Sequence, residues 1–302
     1  MPSPLDRLMR DPAIAAAREE LLALPAADLR SLLLDIAAER ARRQSPPDVL
    51  RQYASDRFCA PGSIDAVLLA RASAAALAQV ASSFKPVVLS PIAPLGSCSA
   101  LGSVPQNNLV TTMRLTDVVA DPTNALALEA AGRRRDASDA VARLSGISRV
   151  VRAQRFAGPR SFSHFSLLGL VSAGRDLGSR AFEVHELTLH ARTLAETIRA
   201  LDPQLSVHVT VSDHSGRPDE AMAVAAALAG DVDRASVDPE RIHGVGYYEH
   251  LCVKIFVRIG DDLIEVGDGG SVPWTRDLVG SRKERLVISG LGLDRLADQI
   301  SP

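Results

Sequence analysis

The order in which periodic segments follow one another constrains this chain more than any single motif. Up to residue 58 the pattern is helical: Leu22, Leu29, Leu33 and Ile36 recur at spacings of seven, four and three, with Arg and Glu between them. Ser45-Pro-Pro47 interrupts this region, and Asp48 is placed to cap a short helix running to Tyr53. Cys59-Ala-Pro-Gly-Ser63 is a stronger break, and Ser63 is placed to cap a helix over 64–82. From Phe84 onward short β-type runs dominate, over 86–90, 109–115, 149–156, 163–171, 205–211, 251–259, 263–266 and 285–289. Helices are expected among them at 181–201 and 219–229. Many strands with few helices between them exclude the doubly wound parallel alternation and predict an α+β domain around a mostly antiparallel sheet. The break at residue 59 divides the chain into a helical N-terminal segment, 1–59, and this domain, 60–302.

The local patterns are specific. Leu205, Val207, Val209 and Val211 alternate with polar residues, as in a strand with one wet face. Gly260-Asp-Asp262 fits a tight turn of an antiparallel hairpin. Leu187, Leu194 and Leu201, with Ala191 and Ile198 between them, draw an apolar stripe along the helix 181–201. A content of 46% apolar and 23% charged residues excludes disordered and collagen-like chains. A net charge of -2 provides no general field for nucleic acid. Cys59, Cys98 and Cys252 have no disulfide-framework or zinc spacing, the first eleven residues carry acids where a secretory leader has a basic head, and no run is long enough to span a bilayer. A reduced cytoplasm is the expected home. Neither G-x-x-x-x-G-K-[ST], G-x-G-x-x-G after a strand, G-x-S-x-G nor H-E-x-x-H is present.

Three segments carry chemistry. Ser83-Phe-Lys-Pro-Val-Val-Leu-Ser-Pro91 joins a long helix to a short strand ending in proline. Residues 149–169, beginning Arg149-Val-Val-Arg152, set arginines at a strand end and on a polar loop, and His164-Phe165 at the head of the returning strand. Arg285-Leu-Val-Ile-Ser-Gly-Leu-Gly-Leu-Asp-Arg-Leu296 runs from a strand through two glycines into a helix with Arg295 in its first turn. Alone, each has a plain structural explanation: a packing helix–strand pair, a solvated hairpin, and a glycine-rich turn. Together and in this order they resemble motifs 1, 2 and 3 of the class II aminoacyl-tRNA synthetases, particularly the histidyl type, over about 230 residues from Ile64 to Leu296.

The resemblance implies an ATP site and a homodimer built on the first segment. Arg152 would neutralise the α-phosphate as a carboxylate attacks it, and Arg295 would meet the γ-phosphate. Phe165 would lie against adenine, with Gln154 accepting from its amino group and Arg155 or Arg160 meeting the outer phosphates or the acceptor. Gly290 and Gly292 would admit the nucleotide close to the backbone. Glu129, ending a segment that begins at Thr116, and Tyr247 and Tyr248 would line an amino-acid pocket, together with His243, which stands where the histidyl type has an arginine. Glu265 and Asp268 are suited to Mg²⁺, or form an acidic surface turn with Gly267, Gly269 and Gly270. His185 and His190, about 140° apart on one helix, are expected in surface or capping roles. With six residues after Leu296, the anticodon-binding domain of the histidyl type is not expected, and 1–59 lacks a basic tract for tRNA.

The expected activity is an ATP-dependent ligase that converts an amino-acid-like carboxylate to its acyl-adenylate and passes it to an acceptor other than a normal tRNA. A non-catalytic paralogue regulating a partner enzyme is the alternative, motivated by Gln154 and His243. A tRNA-charging enzyme served by a separate anticodon-binding protein is the third.

Overall fold

The computed structural model describes residues 3–136, 140–154, 163–241 and 244–299. The N-terminal segment contains α1 (Pro4–Leu8), α2 (Pro12–Ala23), α3 (Ala26–Arg42) and α4 (Pro46–Ser55), none of which buries a residue. In α4 the cap is Ser45 rather than Asp48: Asp48 sits at the third helical position and its carboxylate reaches back to the Ser45 amide. Pro46 at the first helical position leaves Ser45 as the residue in extended conformation, which fixes this division of labour.

The remaining elements are α5 (Ala66–Val80), β1 (Lys85–Pro86), β2 (Ile92–Pro94), α6 (Ser97–Gly102), β3 (Thr111–Thr112), β4 (Thr116–Val118), α7 (Pro122–Asp136), β5 (Ala142–Val151), β6 (His164–Arg175), α8 (Ala181–Leu201), β7 (Ser206–Asp213), α9 (Pro218–Ala227), β8 (Arg234–Val237), β9 (Leu251–Ile259), β10 (Asp262–Val272), α10 (Trp274–Val279), β11 (Glu284–Gly292) and α11 (Leu293–Gln299). Asp65, not Ser63, caps α5, its carboxylate accepting from the Leu68 amide at 2.7 Å. An eight-stranded sheet runs β1-β5-β6-β11-β10-β9-β7-β8, antiparallel throughout its centre and parallel at its two outermost pairings. Of the expected strand at 109–115 only Thr111–Thr112, β3, is extended and paired; it forms a small sheet with β2 and with β4, which begins after it. Asp117 explains the break: buried in β4, it accepts from the Gly96 amide, Gln106 and Thr111.

The large sheet buries an apolar core on each face. Leu187, Ala191, Leu194 and Ile198 of α8 lie fully buried against Val207, Val253, Ile255, Val287 and Leu291, with α5, α9 and α11 completing that layer. Each fully buried Leu or Ile contributes about 1.5–3 kcal/mol, so this stripe anchors α8. The opposite face holds α7 and α10, with Leu126, Ala130, Trp274 and Tyr248 packed on Leu144, Val171 and Ile288. Gly260, at φ +59°, makes the turn from β9 to β10 as the sequence predicts. Gly267-Asp-Gly-Gly270 is not a turn but part of β10, paired on both sides.

His190 is a core residue, not a surface or capping one. It is fully buried, its ring nitrogens bonded to Ser172 of β6 at 2.9 Å and Ser289 of β11 at 2.8 Å, its edge against Phe84. His185, on the other side of α8, remains exposed beside Glu186. Burial pushes the His190 pKa down from 6.5 to about 3, so the native state refuses a proton that the unfolded state accepts. Its contribution is therefore complete above the unfolded value and is lost as pH falls from there toward 3, at about 1.4 kcal/mol per pH unit. Urea unfolding of wild type and His190→Gln between pH 6 and 4.5 should show a shallower loss of stability in the variant; parallel losses would contradict this role.

Candidate functional site

A cavity of about 710 Å³ lies on the α7 face of the sheet. Its floor follows from pairing: Gly146 of β5, Gly169 of β6, Gly290 of β11 and Asp268 of β10 stand side by side across four strands. Residues opposite one another in a sheet share a face, so the row forms a trough without side chains until Asp268. A Cβ on Gly169 would stand 2.9 Å from Pro122 and 3.1 Å from Leu126, so glycine lets the first turns of α7 settle on the sheet. At Gly290 the nearest atom to such a Cβ is 3.6 Å away, on Leu167, and the space above is cavity.

Arg152 enters from the end of β5. Its Nε donates to the Ala120 carbonyl at 3.0 Å, its Nη2 lies 3.7 Å from Asp121 Oδ2, and its guanidinium stands 5.2 Å from the centre of the Phe165 ring. Both Arg152 and Asp121 keep roughly a quarter to a third of their side chains exposed, so the pair contributes at most about 1 kcal/mol to stability. Its position therefore serves the cavity more than the fold. Asp121 is held by the Thr123 amide at 2.9 Å and hydroxyl at 2.7 Å, the geometry of a helix cap at the start of α7.

Arg295 reaches the cavity from α11, its Nη1 donating to the Glu265 carbonyl at 2.6 Å. Gln154, Phe165, Gly290, Gly292, Tyr247, Tyr248 and Asp268 line the same cavity, so the second and third segments singled out in the sequence contribute two arginines, one aromatic ring and two glycines to one space, while residues 87–90 of the first face a separate groove. Tyr247 stacks edge-on between Tyr248 at 5.0 Å and Trp274 at 5.7 Å. Burial raises both phenols well above their ordinary range, with Asp121 and Asp268 adding to it, so both are neutral hydrogen-bonding groups. Burial also raises the Asp268 carboxyl, and the charges of Asp121 and Glu265 push the same way, against the Tyr248 hydrogen bond and Arg241. A cation entering between Asp121 and Asp268 would relieve that repulsion.

The structure does not bring Glu129 to this cavity. It is half-exposed, paired with Arg133 one turn on, and faces a shallow groove formed by residues 87–94 and α7. Eight residues beyond Asp121, it lies about 12 Å farther along the helix axis. Glu265 turns its carboxylate to Lys254 at 2.7 Å on β9, while Asp268 faces the cavity and Tyr248. These two acids do not converge, and no group of three or more metal-ligating side chains occurs among the described residues. Arg155, Arg160 and His243 lie outside the described residues. Asp121, Thr123 and Asn124 are cavity residues that the sequence reading missed, although Asp121-Pro-Thr123 carries the signature of a helix start: a capping acid followed by proline.

No family description matches the sequence, and no curated protein matches it. Solved structures do resemble it. One is described as an ATP phosphoribosyltransferase regulatory subunit/histidyl-tRNA synthetase from Bacillus halodurans, with TM-score 0.60 and 11% identity over 78% of this chain and 80% of that one. The fold is that of a class II, histidyl-tRNA synthetase-like catalytic core. The apo histidyl-tRNA synthetase of S. aureus matches at TM-score 0.58 and 12% identity, over 78% of this chain and 65% of that one. A histidine–tRNA ligase subunit from Alicyclobacillus acidocaldarius matches at 0.59 and 14%, over 80% and 95%. In this synthetase-like core the site lies on the antiparallel centre of the sheet, between α7 and α11.

The cavity also holds Cys98, whose thiol donates to Asn124 Oδ1 at 3.0 Å and whose pKa burial pushes up to about 12. Cys252 is likewise buried and pushed up to about 11, whereas Cys59 is exposed. At pH 8 roughly one Cys98 thiol in ten thousand is ionised, and only the thiolate is alkylated. Native protein treated with iodoacetamide at pH 8 should be modified first at Cys59, with Cys98 and Cys252 reacting far more slowly by peptide mass spectrometry. Labelling of Cys98 at the rate of Cys59 would contradict this assignment of a buried, un-ionised cavity thiol.

Proposed function

We propose that the chain is an ATP-dependent ligase that activates an amino-acid-like carboxylate as an acyl-adenylate. The observation that carries this reading is the position of Arg152, with an aromatic face on one side and a carboxylate on the other. An adenine ring against Phe165 and an ammonium group between Asp121 and Asp268 would set the substrate carboxylate and the α-phosphate on the same guanidinium. A carboxylate oxygen then attacks the α-phosphorus, the bond to the β-phosphate oxygen breaks, and pyrophosphate leaves. Arg152, planar and permanently charged, stabilises the charge gathering on the non-bridging oxygens. Arg295 holds the outer phosphates at the far end, and Gly290 and Gly292 keep the floor low beneath them. Gln154 is placed to accept from the adenine amino group, and Tyr247 and Tyr248 to donate to the substrate. Mg²⁺ would come with the triphosphate, because Glu265 is neutralised by Lys254 and does not join Asp268. The acyl acceptor belongs outside this cavity, and His243 and Arg160 remain proposed neighbours of the amino acid and the phosphates.

A second reading, a regulatory subunit without catalysis, is favoured by the Bacillus halodurans match, whose description contains that role. Amino-acid-dependent ATP–pyrophosphate exchange separates the two. A panel of amino acids and related carboxylates should contain at least one that drives exchange, and Arg152→Ala and Arg295→Ala should each lower it on the order of a hundredfold or more. Arg152→Lys should restore little, because an ammonium cannot hold two oxygens in a plane. ATP binding without exchange for any carboxylate would favour the regulatory reading.

The chain is also proposed to work as a homodimer through the segment after α5. Val88 is fully exposed there, Ile92 and Leu95 are nearly half-exposed, and β1 is an edge strand pairing only with β5. An apolar edge of this kind invites pairing with a second copy. Light scattering after gel filtration should report twice the chain mass for wild type and a shift toward the monomer for Val88→Asp. A wild-type monomer at micromolar concentration would count against the dimer.

A further inference from the structure

The N-terminal segment does not only precede the synthetase-like core; its last residues fasten the hairpin that carries Arg152. We infer that Arg57 is a positioning residue for the nucleotide half of the cavity, an inference that rests on the ATP reading given above. Arg57 Nη2 donates to the carbonyl of Ala153, and Nη1 donates to Ser163 Oγ at 2.8 Å. One guanidinium thus clips together the two strands of the hairpin beyond the last pair of β5 and β6. Its plane rests on the ring of Phe58, 4.3 Å from the centroid, and Phe58 is itself held where its amide donates to Asp56 Oδ1. A planar cation stacked on a ring and donating in two directions is ordered before any ligand arrives.

The clip acts where it matters for the cavity. Ala153 stands between Arg152 and Gln154, both of which line the cavity. Its amide is fixed to the Asn108 carbonyl at 2.9 Å and its carbonyl to Arg57, so the peptide units on either side of it are both tied down. Arg152 in turn donates its amide to the Ser163 carbonyl at 2.8 Å, the residue whose hydroxyl Arg57 also holds.

A second thread runs parallel. His164 Nε2 bonds the Ala60 carbonyl at 2.6 Å, so that nitrogen carries the proton and Nδ1 accepts from Arg149 Nε at 3.0 Å. Arg149 continues to Ser166 Oγ and to Asp294, and Asp294 Oδ2 accepts the Ser166 amide at 2.6 Å. Asp294 is the neighbour of Arg295. Residues 57–60 are therefore tied by side-chain hydrogen bonds to both places that supply cavity arginines, although Arg57 touches no group placed on substrate.

The test compares wild type, Arg57→Ala, Arg57→Lys and Ser163→Ala in the full chain. Amide hydrogen exchange reads the hairpin directly, and calorimetric titration with ATP and MgCl₂ reads the cavity. Arg57→Ala should speed exchange at residues 150–154 and 163–166 while the rest of the sheet keeps its protection. It should weaken ATP binding roughly tenfold, the ordering lost with a charged hydrogen-bond donor. Arg57→Lys, which reaches one acceptor but not both, should fall between, and Ser163→Ala, which removes one arm, should shift both readouts in the same direction. Unchanged exchange at the hairpin overturns the clip. Faster exchange with undiminished ATP affinity in Arg57→Ala overturns its positioning role while leaving the ATP site intact. If wild type itself binds no ATP, the nucleotide reading of the cavity fails, and the positioning role falls with it.

Discussion

The close approach of α7 to the sheet governs everything above it. That approach exists because Gly146, Gly169 and Gly290 stand abreast on three adjacent strands, leaving a channel in a surface otherwise covered by side chains. Pro122 and Leu126 occupy the channel at Gly169, where even a methyl group would meet Pro122 at 2.9 Å. The start of α7 is thereby pinned, and with it Asp121, whose carboxylate stands next to Arg152. Where the helix ends its contact, the same channel continues open over Gly290 toward Asp268 and becomes the cavity. Packing and site are two stretches of one depression.

Electrostatics then divides the space. Of the carboxylates lining it, Asp294 is engaged by Arg149 and the Ser166 amide, while Asp121 and Asp268 lie toward α7 and β10; the Arg152 and Arg295 guanidinium groups lie toward the ends of β5 and β11, and neutral phenols occupy the wall between α10 and the sheet. A molecule bearing only one sign of charge would leave either Asp121 and Asp268 or the two arginines without a counter-charge from the ligand. A zwitterion joined to a polyanion would complement both pairs, which is the physical content of the adenylation proposal. The buried Arg134–Glu284 pair, by contrast, is closed on itself and on the Ala140 carbonyl, and offers nothing to a ligand. Removing one member would strand a buried charge at a cost of about 3–5 kcal/mol, which marks it as structural.

Much of the fold was legible because the periodicities are strong. The stripe Leu187–Ala191–Leu194–Ile198 and the alternation through Val211 each have one burial pattern that satisfies them, and the structure adopts it. The short pieces near residues 109–118 were not legible as separate strands, since their division depends on Asp117 gathering the Gly96 amide, Gln106 and Thr111 around one buried carboxylate, which no periodicity encodes. The cavity positions of Arg152, Phe165, Gly290 and Arg295 could be anticipated from motif order. Glu129 could not be placed by spacing alone, because two helical turns carry it away from the end of α7 that touches the cavity. His190 is polar by type yet fully buried, and only the serines on two remote strands make that burial possible.

Adenylation at this site requires that the channel above the glycine row receive a folded triphosphate. A crystal structure of the chain with a non-hydrolysable ATP analogue tests it directly. Adenine is expected against Phe165, the α-phosphate at Arg152 and the terminal phosphate at Arg295. A nucleotide bound elsewhere, or a channel occupied by neither base nor phosphates at saturating analogue, would contradict it.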